Sequence, residues 1–367
     1  MSTTPAVRTD GHPRPAPQRP LKVFYWPADA LDGCQLYRCR IPADELNRIG
    51  HEARMSQRMD DWGRYEADIV VGQRIAPTRP SIGWQLMCQR AKKAGHRRMV
   101  YEVDDDLFNI DPKTNPHGQA FHDPTMRANM IDNIRASDLV TVTTEPLADV
   151  LRSYNPNVVV IPNAVRGEVF DVPLPDRRGK AGMPGGAAGP VVYGWQGSDT
   201  HGEDWLVAEP AVQELLTTSD DTYLRFLGTP YWARLHAAGV PAHRMGLRGW
   251  TPDIMAHYKR VARFDVSLAP LTGSVFNRSK SGLRVQESLA LGVPAVASDV
   301  PAYRDWVEDG HTGFLVRGKD EWLEAMRALA DPVLRLEMGD AGREAARAWT
   351  IEATIEKWVD AYRSLLD

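Results

Sequence analysis

The chain has few cysteines, no large excess of charge of either sign and no long hydrophobic run. Its three cysteines, Cys34, Cys39 and Cys88, cannot all pair with one another and lack the spacing of metal ligands, which favours a reducing compartment. The formal net charge of -4 argues against a strongly basic nucleic-acid-binding protein, but it does not exclude a local basic cleft. No apolar run approaches the ~20 residues that a membrane-spanning helix needs, and the N-terminus has no apolar signal-peptide segment. We therefore expect a soluble, cytoplasmic protein.

The composition and length fit a globular chain of two domains. Apolar residues make up 43% and charged residues 25% of the 367 residues, and a chain of this length can form two separate cores. Residues 1–20 contain five prolines and almost no large apolar side chains, which predicts a disordered tail. Residues 172–190 are rich in glycine and proline and predict a linker between the domains.

Short apolar runs alternate with helical segments on both sides of this linker. Before it, strands are predicted at residues 21–26, 68–71, 98–103, 139–143 and 158–161. After it, strands are predicted at residues 191–195, 223–227, 264–268 and 294–297. Thr251 and Pro252 have the residue types of an N-cap and a first helical position, so a helix is predicted from Pro252 to Ala262. Strands separated by single helices predict parallel pairing, and hence an α/β protein with doubly wound sheets.

One stretch, residues 264–298, has the local signals of an anion-binding site. A predicted strand leads into a polar loop and then into a short helix over residues 283–291, which Gly292 ends at the C′ position. The free N–H groups and the positive dipole end at the start of such a helix favour a phosphate. Lys280 and Arg278 add full positive charges beside this helix start.

The same stretch resembles the signature of the large retaining family of nucleotide-sugar-dependent glycosyltransferases with the GT-B fold. That signature has two glutamates with Gly-Leu between them, followed by a small-residue turn and an apolar strand. The matching residues are Gly282, Leu283, Glu287, 292–298 and, for the family's next loop and strand, 310–316. Ser279 stands in place of the first glutamate. The resemblance covers roughly residues 21–367 and is strongest in the second half.

This resemblance implies two Rossmann-like domains that face each other across a cleft. Residues 21–171 would form the N-terminal, acceptor-side domain, and residues 191–349 the C-terminal domain that binds the nucleotide-sugar donor. In GT-B proteins a terminal helix often crosses back to the first domain. Residues 350–367 fit such a helix, because apolar residues follow Thr350 at helical spacing. This predicted face consists of Ile351, Ile355, Trp358, Tyr362 and Leu365.

The resemblance also implies roles for individual residues. Glu287 would hold the ribose of the donor, and Ser279 stands where the family contacts the donor sugar. Lys280, Arg278 and the N–H groups at Gly282 would stabilise charge on the leaving diphosphate. The family's other donor-binding segments carry over to Gly33, Gly197, Ser198, Trp250 and Leu283. The glycines and Ser198 could instead be plain turn residues, and Trp250 could instead belong to the core.

Three consecutive carboxylates, Asp104, Asp105 and Asp106, follow the strand predicted at residues 98–103. They repel one another, so a stable fold normally places such a run against a partner or in solvent. We expect Asp104 or Asp105 to face the cleft, as a contact to sugar or acceptor hydroxyls or as a general base. Asp106 could alternatively cap a turn.

Other charged or titratable residues near the predicted cleft are weaker candidates. His117, His122 and His201 lie in polar loops and could contact a ligand or be solvated. Arg38 and Arg40, in a predicted helix after the first strand, either face an anionic ligand or are solvated helix charges.

The function implied by the resemblance is transfer of a sugar from a nucleoside-diphosphate sugar to an acceptor, with retention of the anomeric configuration. The donor is a co-substrate, and no further cofactor is expected; the acceptor could be a glycan, a lipid-linked sugar, a protein or a modified nucleic acid. The aspartate run also satisfies an Asp-x-Asp metal-binding pattern, but Lys280 and Arg278 already supply positive charge, so we expect transfer without a metal. Two alternatives stay open: a nucleotide-sugar epimerase of similar fold, and a non-catalytic binding protein, for which Ser279 is the only hint.

Overall fold

The computed structural model describes residues 19–27, 33–58, 61, 65–113, 115–175 and 189–366. Most of the predicted disordered tail, residues 1–18, and most of the predicted linker, residues 176–188, lie outside the described residues. The same holds for the side chain of His117.

Six parallel strands form the sheet of the first domain. In chain order they are β1 (Lys22–Trp26), β2 (Glu52–Met55), β3 (Ile69–Gln73), β4 (Arg98–Val103), β5 (Leu139–Val142) and β6 (Val158–Val160). Across the sheet the order is β2-β1-β3-β4-β5-β6, with parallel pairing throughout. The sequence prediction misses β2, because this short edge strand buries one residue and has no apolar run. The helices are α1 (Gly33–Gln35), α2 (Ile41–Arg48), α3 (Thr78–Ala94), α4 (Pro124–Ala136) and α5 (Glu145–Arg152), with a π-helical turn, Leu36–Arg40, between α1 and α2.

Six more parallel strands form the sheet of the second domain. They are β7 (Val191–Gly197), β8 (Thr222–Gly228), β9 (Met245–Arg248), β10 (Val266–Ala269), β11 (Ala295–Ser298) and β12 (Gly313–Val316). Across the sheet the order is β12-β11-β10-β7-β8-β9, again parallel. The helices are α6 (Gly202–Thr218), α7 (Ala233–Ala237), α8 (Ile254–Val261), α9 (Val275–Arg278), α10 (Leu283–Ala290), α11 (Pro301–Arg304), α12 (Gly318–Ala328) and α13 (Pro332–Ala345).

Each sheet reverses its strand order at one point. In the first sheet the reversal lies between β1 and β3, and in the second it lies between β7 and β10. Ligands of open parallel sheets bind outside the carboxyl ends of the strands at such points. The predicted α/β fold with doubly wound sheets is confirmed, and it places the loops after β7 and β10 where a ligand is expected.

The end of the chain packs on the first domain rather than on the second. Thr350 caps this segment by accepting a hydrogen bond from the Ala353 N–H at 3.2 Å, and α14 (Ile351–Thr354) and α15 (Glu356–Arg363) follow. The predicted apolar face, apart from the partly buried Leu365, is buried in one core with Leu21, Val23 and Tyr25 of the first sheet. The Tyr362 and Tyr25 hydroxyl oxygens lie 3.1 Å apart. No helix within the described ranges is long and apolar enough to cross a membrane.

The start of α8 differs from the sequence prediction. The helix begins at Ile254, and Asp253 is its cap rather than Thr251. The Asp253 carboxylate accepts hydrogen bonds from the N–H groups of Met255 at 2.9 Å and Ala256 at 3.1 Å. A carboxylate also interacts favourably with the helix dipole, which a threonine hydroxyl does not. Thr251 instead accepts from the N–H of Asp253 at 3.3 Å.

Candidate active site

A cavity of about 330 Å³ lies at the strand reversal of the second sheet. Its walls come from the ends of β7 and β8, from the loop before α8, from α8 itself and from the segment that leads into α10. The lining residues are Gln196, Gly197, Ser198, His201, Leu227, Gly228, Gly249, Trp250, Thr251, His257, Arg260, Leu271, Lys280, Ser281, Leu283, Arg284, Glu287 and Tyr303. The position agrees with the rule that ligands bind at the carboxyl ends of parallel strands.

Two further cavities continue this one into the cleft between the domains. A second cavity of about 330 Å³ shares Trp250, His257 and Glu287 with the first and is closed by Gly33, Tyr37 and Arg40 of the first domain, among others. A third, of about 240 Å³, shares Lys280, Ser281 and Leu283 and is closed by Gly33, Asp104, Asp105 and Asn163. The first cavity therefore has a Glu287 end and a Lys280 end, and both meet the first domain.

Glu287 is the buried carboxylate of the first cavity. It lies in α10 and is 5% exposed. Its Oε1 accepts a hydrogen bond from the Tyr37 hydroxyl of the first domain. Its Oε2 accepts from Gln196 Nε2 at 3.1 Å and lies 3.2 Å from His257 Nε2. A carboxylate has about four acceptor positions, so these contacts fix its orientation and leave room for a ligand hydroxyl.

Two neighbours of Glu287, His257 and Tyr37, keep the protons with which they donate hydrogen bonds to its carboxylate. Burial lowers the pKa of His257, but the adjacent Glu287 carboxylate outweighs burial and raises that pKa above its ordinary value. Burial and Glu287 together raise the pKa of Tyr37 well above its usual range. Tyr37 therefore keeps its proton, and His257 favours its charged form beside the carboxylate.

Lys280 and the predicted aspartates meet at the other end of the cavity. Lys280 Nζ lies 3.3 Å from Asp105 Oδ1 and 4.6 Å from the centre of the Phe276 ring. Burial alone would raise the pKa of Asp105, but Lys280 and Arg74 lower it below its ordinary value, so Asp105 is a carboxylate at neutral pH. Arg74 NH1 also lies 3.8 Å from Asp104 Oδ1.

Arg74 is a neighbour of the site aspartates that sequence reasoning misses. It follows β3 at the strand reversal of the first sheet and has a φ of +50°, a region that non-glycine residues seldom adopt. Such a conformation costs free energy and is often found at functional sites. Its side chain donates to Cys34 Sγ at 2.9 Å beside the aspartates.

The first domain holds three consecutive residues of the loop before α10. The Ser279 carbonyl accepts a hydrogen bond from Thr144 Oγ1 at 2.8 Å. Lys280 pairs with Asp105, and Ser281 Oγ accepts from Asn163 Nδ2 at 2.9 Å. The loop of the second domain that carries the predicted phosphate-binding lysine is thus positioned by contacts from the first domain.

Several predicted residues line the cavities and others do not. Gly33, Gly197, Ser198, Trp250, Leu283, Lys280, Glu287, Asp104, Asp105 and His201 line one or more of the three. Trp250 is 65% exposed, so the alternative of a core tryptophan is wrong. Ser279 is buried and lines none of these three cavities, and Arg278 is exposed at the end of α9, outside all three.

Arg284, rather than the predicted Arg278, lines the first cavity. It lies in the first turn of α10, lines the first cavity and has its guanidinium carbon 5.7 Å from the centre of the Trp195 ring. Lys280 is predicted because it is a basic residue beside the start of α10. Arg284 also lies beside that helix start, so the same argument could have predicted it. Gly282, the N-cap of α10, has a steric role, because an added Cβ would lie 2.1 Å from Trp306.

Arg38, Arg40 and His122, which are weaker candidates from the sequence, have different outcomes. Arg38 is neither solvated nor free for a ligand: it is fully buried, with its Nε 2.7 Å from Glu102 Oε1 and its NH1 2.7 Å from the Ile161 carbonyl. Arg40 is exposed and lines the second cavity. His122 Nε2 lies 2.6 Å from the Ile110 carbonyl, a contact within the first domain.

Two members of the aspartate run, Asp104 and Asp105, form ion pairs with Arg74 and Lys280. In the part of the chain that the structure describes, no group of three or more His, Cys, Asp or Glu side chains has the arrangement of a metal site. Asp106 is buried and accepts a hydrogen bond from Asn109 Nδ2 at 2.8 Å, as the alternative of a turn-capping aspartate predicts.

Comparison with known proteins agrees with this geometry. Residues 195–332 match the family model described as glycosyl transferases group 1. The D-inositol 3-phosphate glycosyltransferase of Geodermatophilus obscurus is 35% identical over 113 residues, which cover 30% of this chain and 23% of that protein. The enzyme of the same name from Kribbella flavida is 40% identical over 86 residues, which cover 23% of this chain and 20% of that protein. The chain thus matches these curated relatives over less than a quarter of their length.

Solved structures extend the likeness to both domains. Sucrose-phosphate synthase from Thermosynechococcus elongatus superposes with a TM-score of 0.69 at 16% identity, covering 94% of this chain and 99% of that one. HepE of Anabaena, in complex with UDP, superposes with a TM-score of 0.63 at 13% identity, covering 94% and 100%. At such identities the likeness concerns the fold. The chain therefore has the GT-B fold, and its residues 195–332 are similar to the group 1 glycosyl transferases.

Proposed function

We propose that the chain is a glycosyltransferase that moves a sugar from a nucleoside-diphosphate sugar to an acceptor hydroxyl. The observation that carries the proposal is the buried carboxylate of Glu287 in the same cavity as Lys280 and Arg284. A carboxylate suits a ribose hydroxyl, and two cations beside a helix start suit a diphosphate.

The donor would lie along the cavity in one direction. Its nucleoside would be at the end formed by Glu287, His257 and Trp250, with the ribose on Glu287. Its diphosphate would contact Lys280, Arg284 and the first turn of α10. The transferred sugar would then lie toward the third cavity, where the first domain contributes its aspartates to the acceptor side.

The residues of this cavity would accelerate transfer chiefly by electrostatics. When the bond to the anomeric carbon breaks, negative charge grows on the leaving diphosphate, and preorganised cations there lower the barrier. Contacts from Asp105, Thr144 and Asn163 hold the loop of Lys280 in place, which supports a site that closes between two domains. We infer retention of configuration and independence of metal ions, because the resembled family retains and because Lys280 and Arg284 supply the charge that a metal would bring.

A donor panel tests the proposal. UDP is the first nucleotide to use, because HepE has the same fold and was solved with UDP; GDP, ADP and their sugars follow. A bound donor raises the melting temperature by mass action, and release of nucleoside diphosphate is then measured with and without candidate acceptors. Absence of any shift with all nucleotides would overturn the proposal. Donor conversion that needs no acceptor would support an epimerase, and binding without turnover would support a non-catalytic protein.

The same assay tests metal independence. We expect activity to survive EDTA. Activity that EDTA abolishes and manganese restores would contradict this part of the proposal and assign the aspartates to a metal.

A further inference from the structure

One buried carboxylate oxygen in the wall of the third cavity lacks a hydrogen bond. Asp104, directly after β4, is 8% exposed and lines this cavity. Within the described part of the chain its Oδ1 has no hydrogen-bond partner, and its ion pair with Arg74 NH1 is long at 3.8 Å. A buried acceptor without a donor costs free energy. Such an oxygen in a cavity wall indicates a ligand that brings a hydrogen-bond donor.

The neighbours of Asp104 in the chain fix its place in the wall. Thr143 Oγ1 donates a hydrogen bond to the Asp104 carbonyl at 3.0 Å, and both residues are buried. Asp105 lines the same cavity, and its Oδ1 lies 3.3 Å from Lys280 Nζ. Asp106 lines none of the three cavities and accepts a hydrogen bond within the first domain. The aspartate run therefore presents two of its three carboxylates to the third cavity.

Most hydrogen-bond donors in this wall are already engaged. Asn163 Nδ2 donates to Ser281 Oγ at 2.9 Å, and the Tyr37 hydroxyl donates to Glu287. Lys280 pairs with its aspartate partner and, in the proposed function, also contacts the diphosphate. The cavity thus offers mainly hydrogen-bond acceptors. A hydroxyl group, which can donate, fits this wall, whereas an ionised phosphate, which only accepts, does not.

The charges around the cavity favour the same kind of ligand. Asp104 and Asp105 pair with Arg74 and Lys280, so the formal charges of these four side chains sum to zero. The diphosphate of a bound donor adds negative charge at Lys280. A phosphate on the acceptor would then lie beside two carboxylates and a diphosphate, and like charges in a partly buried cleft repel one another. We therefore expect the part of the acceptor that enters to be uncharged.

The position of the cavity selects the acceptor as its ligand. The proposed donor occupies the first cavity, and the anomeric carbon of its sugar is next to the diphosphate at Lys280. Of the other two cavities, the third is lined by Lys280 and the second is not. An acceptor that approaches the anomeric carbon from the first domain therefore enters through the third cavity.

We propose that the third cavity binds an uncharged, hydroxyl-bearing acceptor, a sugar or polyol without a phosphate on the group that enters, and that Asp104 accepts a hydrogen bond from one of its hydroxyls. This inference rests on the proposed function and names the class of its acceptor. An acceptor with a phosphate on this group is disfavoured by charge. An acceptor without the hydroxyl leaves a buried carboxylate oxygen unpaired, which the site rejects more strongly than a small change in shape.

The test compares matched ligands that differ by one phosphate. The whole chain is first saturated with a fluorinated analogue of the donor found in the panel, whose fluorine slows transfer while its sugar keeps the donor position filled. Ligand-observed NMR titrations at millimolar concentrations then compare D-glucose with D-glucose 6-phosphate and myo-inositol with myo-inositol 3-phosphate. In at least one pair we expect the uncharged member to bind about tenfold or more tightly than its phosphate.

The variant Asp104→Asn tests the residue, with Asp132→Asn, at an exposed position of α4, as the matched control. Loss of the carboxylate should weaken the uncharged ligand about tenfold. It should also narrow the difference between the members of a pair, because a negative charge is gone. Affinity for the bare nucleoside diphosphate should stay unchanged, which also shows that the variant folds and keeps its donor site. The control should match the wild type throughout.

Tighter binding of the phosphorylated members, no binding of any uncharged member, or unchanged affinities in Asp104→Asn would overturn the acceptor class while the proposed function stands. If Asp104→Asn does not fold, the comparison of matched ligands on the wild type still decides. A wild type that binds no nucleotide would overturn the proposed function, and the acceptor class with it.

Discussion

The carboxyl ends of the two sheets carry opposite kinds of chemistry. In the second domain β7 and β8 both end in a glycine, Gly197 and Gly228, and these ends border an open cavity. In the first domain a buried ion pair of Arg38 and Glu102 fills part of the corresponding edge, and Asp104 and Asp105, which follow β4, border the third cavity. Sheet topology therefore selects the edge where ligands can bind, but the side chains at that edge decide whether there is room for one.

The filled edge is a hydrogen-bonded network rather than a simple salt bridge. Glu102 accepts hydrogen bonds from Arg38 and from Thr141, and Arg38 also reaches Asn163 Oδ1 at 3.2 Å. Burial lowers the pKa of Arg38, but the Glu102 carboxylate raises it and the pair holds the cation. Because Asn163 donates to Ser281 in the second domain, the network extends to the loop of the open cavity.

The largest expected effect on stability comes from removing one partner of the buried Arg38–Glu102 ion pair. Glu102→Gln leaves the Arg38 charge buried without its partner, and we expect the free energy of unfolding to fall by about 3–5 kcal/mol. Urea denaturation followed by circular dichroism measures this. The double variant Arg38→Met with Glu102→Leu replaces both charges by apolar groups and should recover most of the loss. A loss of only ~1 kcal/mol in Glu102→Gln, typical of a surface pair, would contradict the assignment.

At the open edge, the largest effect should follow loss of Lys280. If it stabilises the leaving diphosphate, Lys280→Ala should lower kcat about 100-fold or more while the affinity for bare nucleoside stays the same. Arg278→Ala is the matched control, because Arg278 is exposed outside the three cavities and should change kcat by less than about twofold. An equal loss in Arg278→Ala would restore the role predicted from sequence, and a loss of nucleoside affinity in Lys280→Ala would place the lysine elsewhere.

Removal of Glu287 should have the next largest effect. Loss of a charge-assisted hydrogen bond of about 1.5–3 kcal/mol predicts that Glu287→Ala weakens both the donor and its nucleoside diphosphate by about one to two decades. Calorimetry measures both affinities. Glu324→Ala, at an exposed position of α12, serves as the control. Unchanged nucleotide affinity in Glu287→Ala would exclude its ribose contact.

The smallest expected effect is a pH dependence at the open edge. The folded pKa of His257 is raised above its ordinary value of 6.5, so the stability it contributes is complete below pH 6.5 and is lost as pH rises through the raised pKa. His257→Gln removes this contribution. The difference in the free energy of unfolding between wild type and variant should therefore decrease from pH 6 to alkaline pH. A difference that does not change over this range would mean that Glu287 does not hold the proton on His257.

Local signals were sufficient for the fold and for the helix that carries Glu287. The alternation of strands and helices predicts both parallel sheets apart from their edge strands β2 and β9, and Gly292 has the positive φ of 64° that a glycine at C′ predicts. The partners of Glu287 could not be found in this way. Tyr37, Gln196 and His257 lie 250, 91 and 30 residues away, and no local pattern connects them.

Arg38 shows a second limit of sequence reasoning. An arginine in a helix is normally solvated, because a buried charge is costly without a partner. Its partner Glu102 is 64 residues away on β4, and the ring of Trp358, 4.6 Å from the guanidinium carbon, comes from the end of the chain. Burial of the pair depends on three distant segments meeting, which only the folded chain reveals.

The return of the last helices to the first domain has a consequence for synthesis of the protein. Domains commonly fold in the order in which they leave the ribosome. Here the core of the first domain includes Ile351, Trp358 and Tyr362, which emerge only after the whole second domain has been made. A nascent chain that has completed β1 to β6 still exposes the apolar surface that these residues cover. A ribosome that stalls before residue 351 would therefore release a first domain with an uncovered core and with Arg38 lacking its aromatic neighbour, a form that chaperones and proteases recognise.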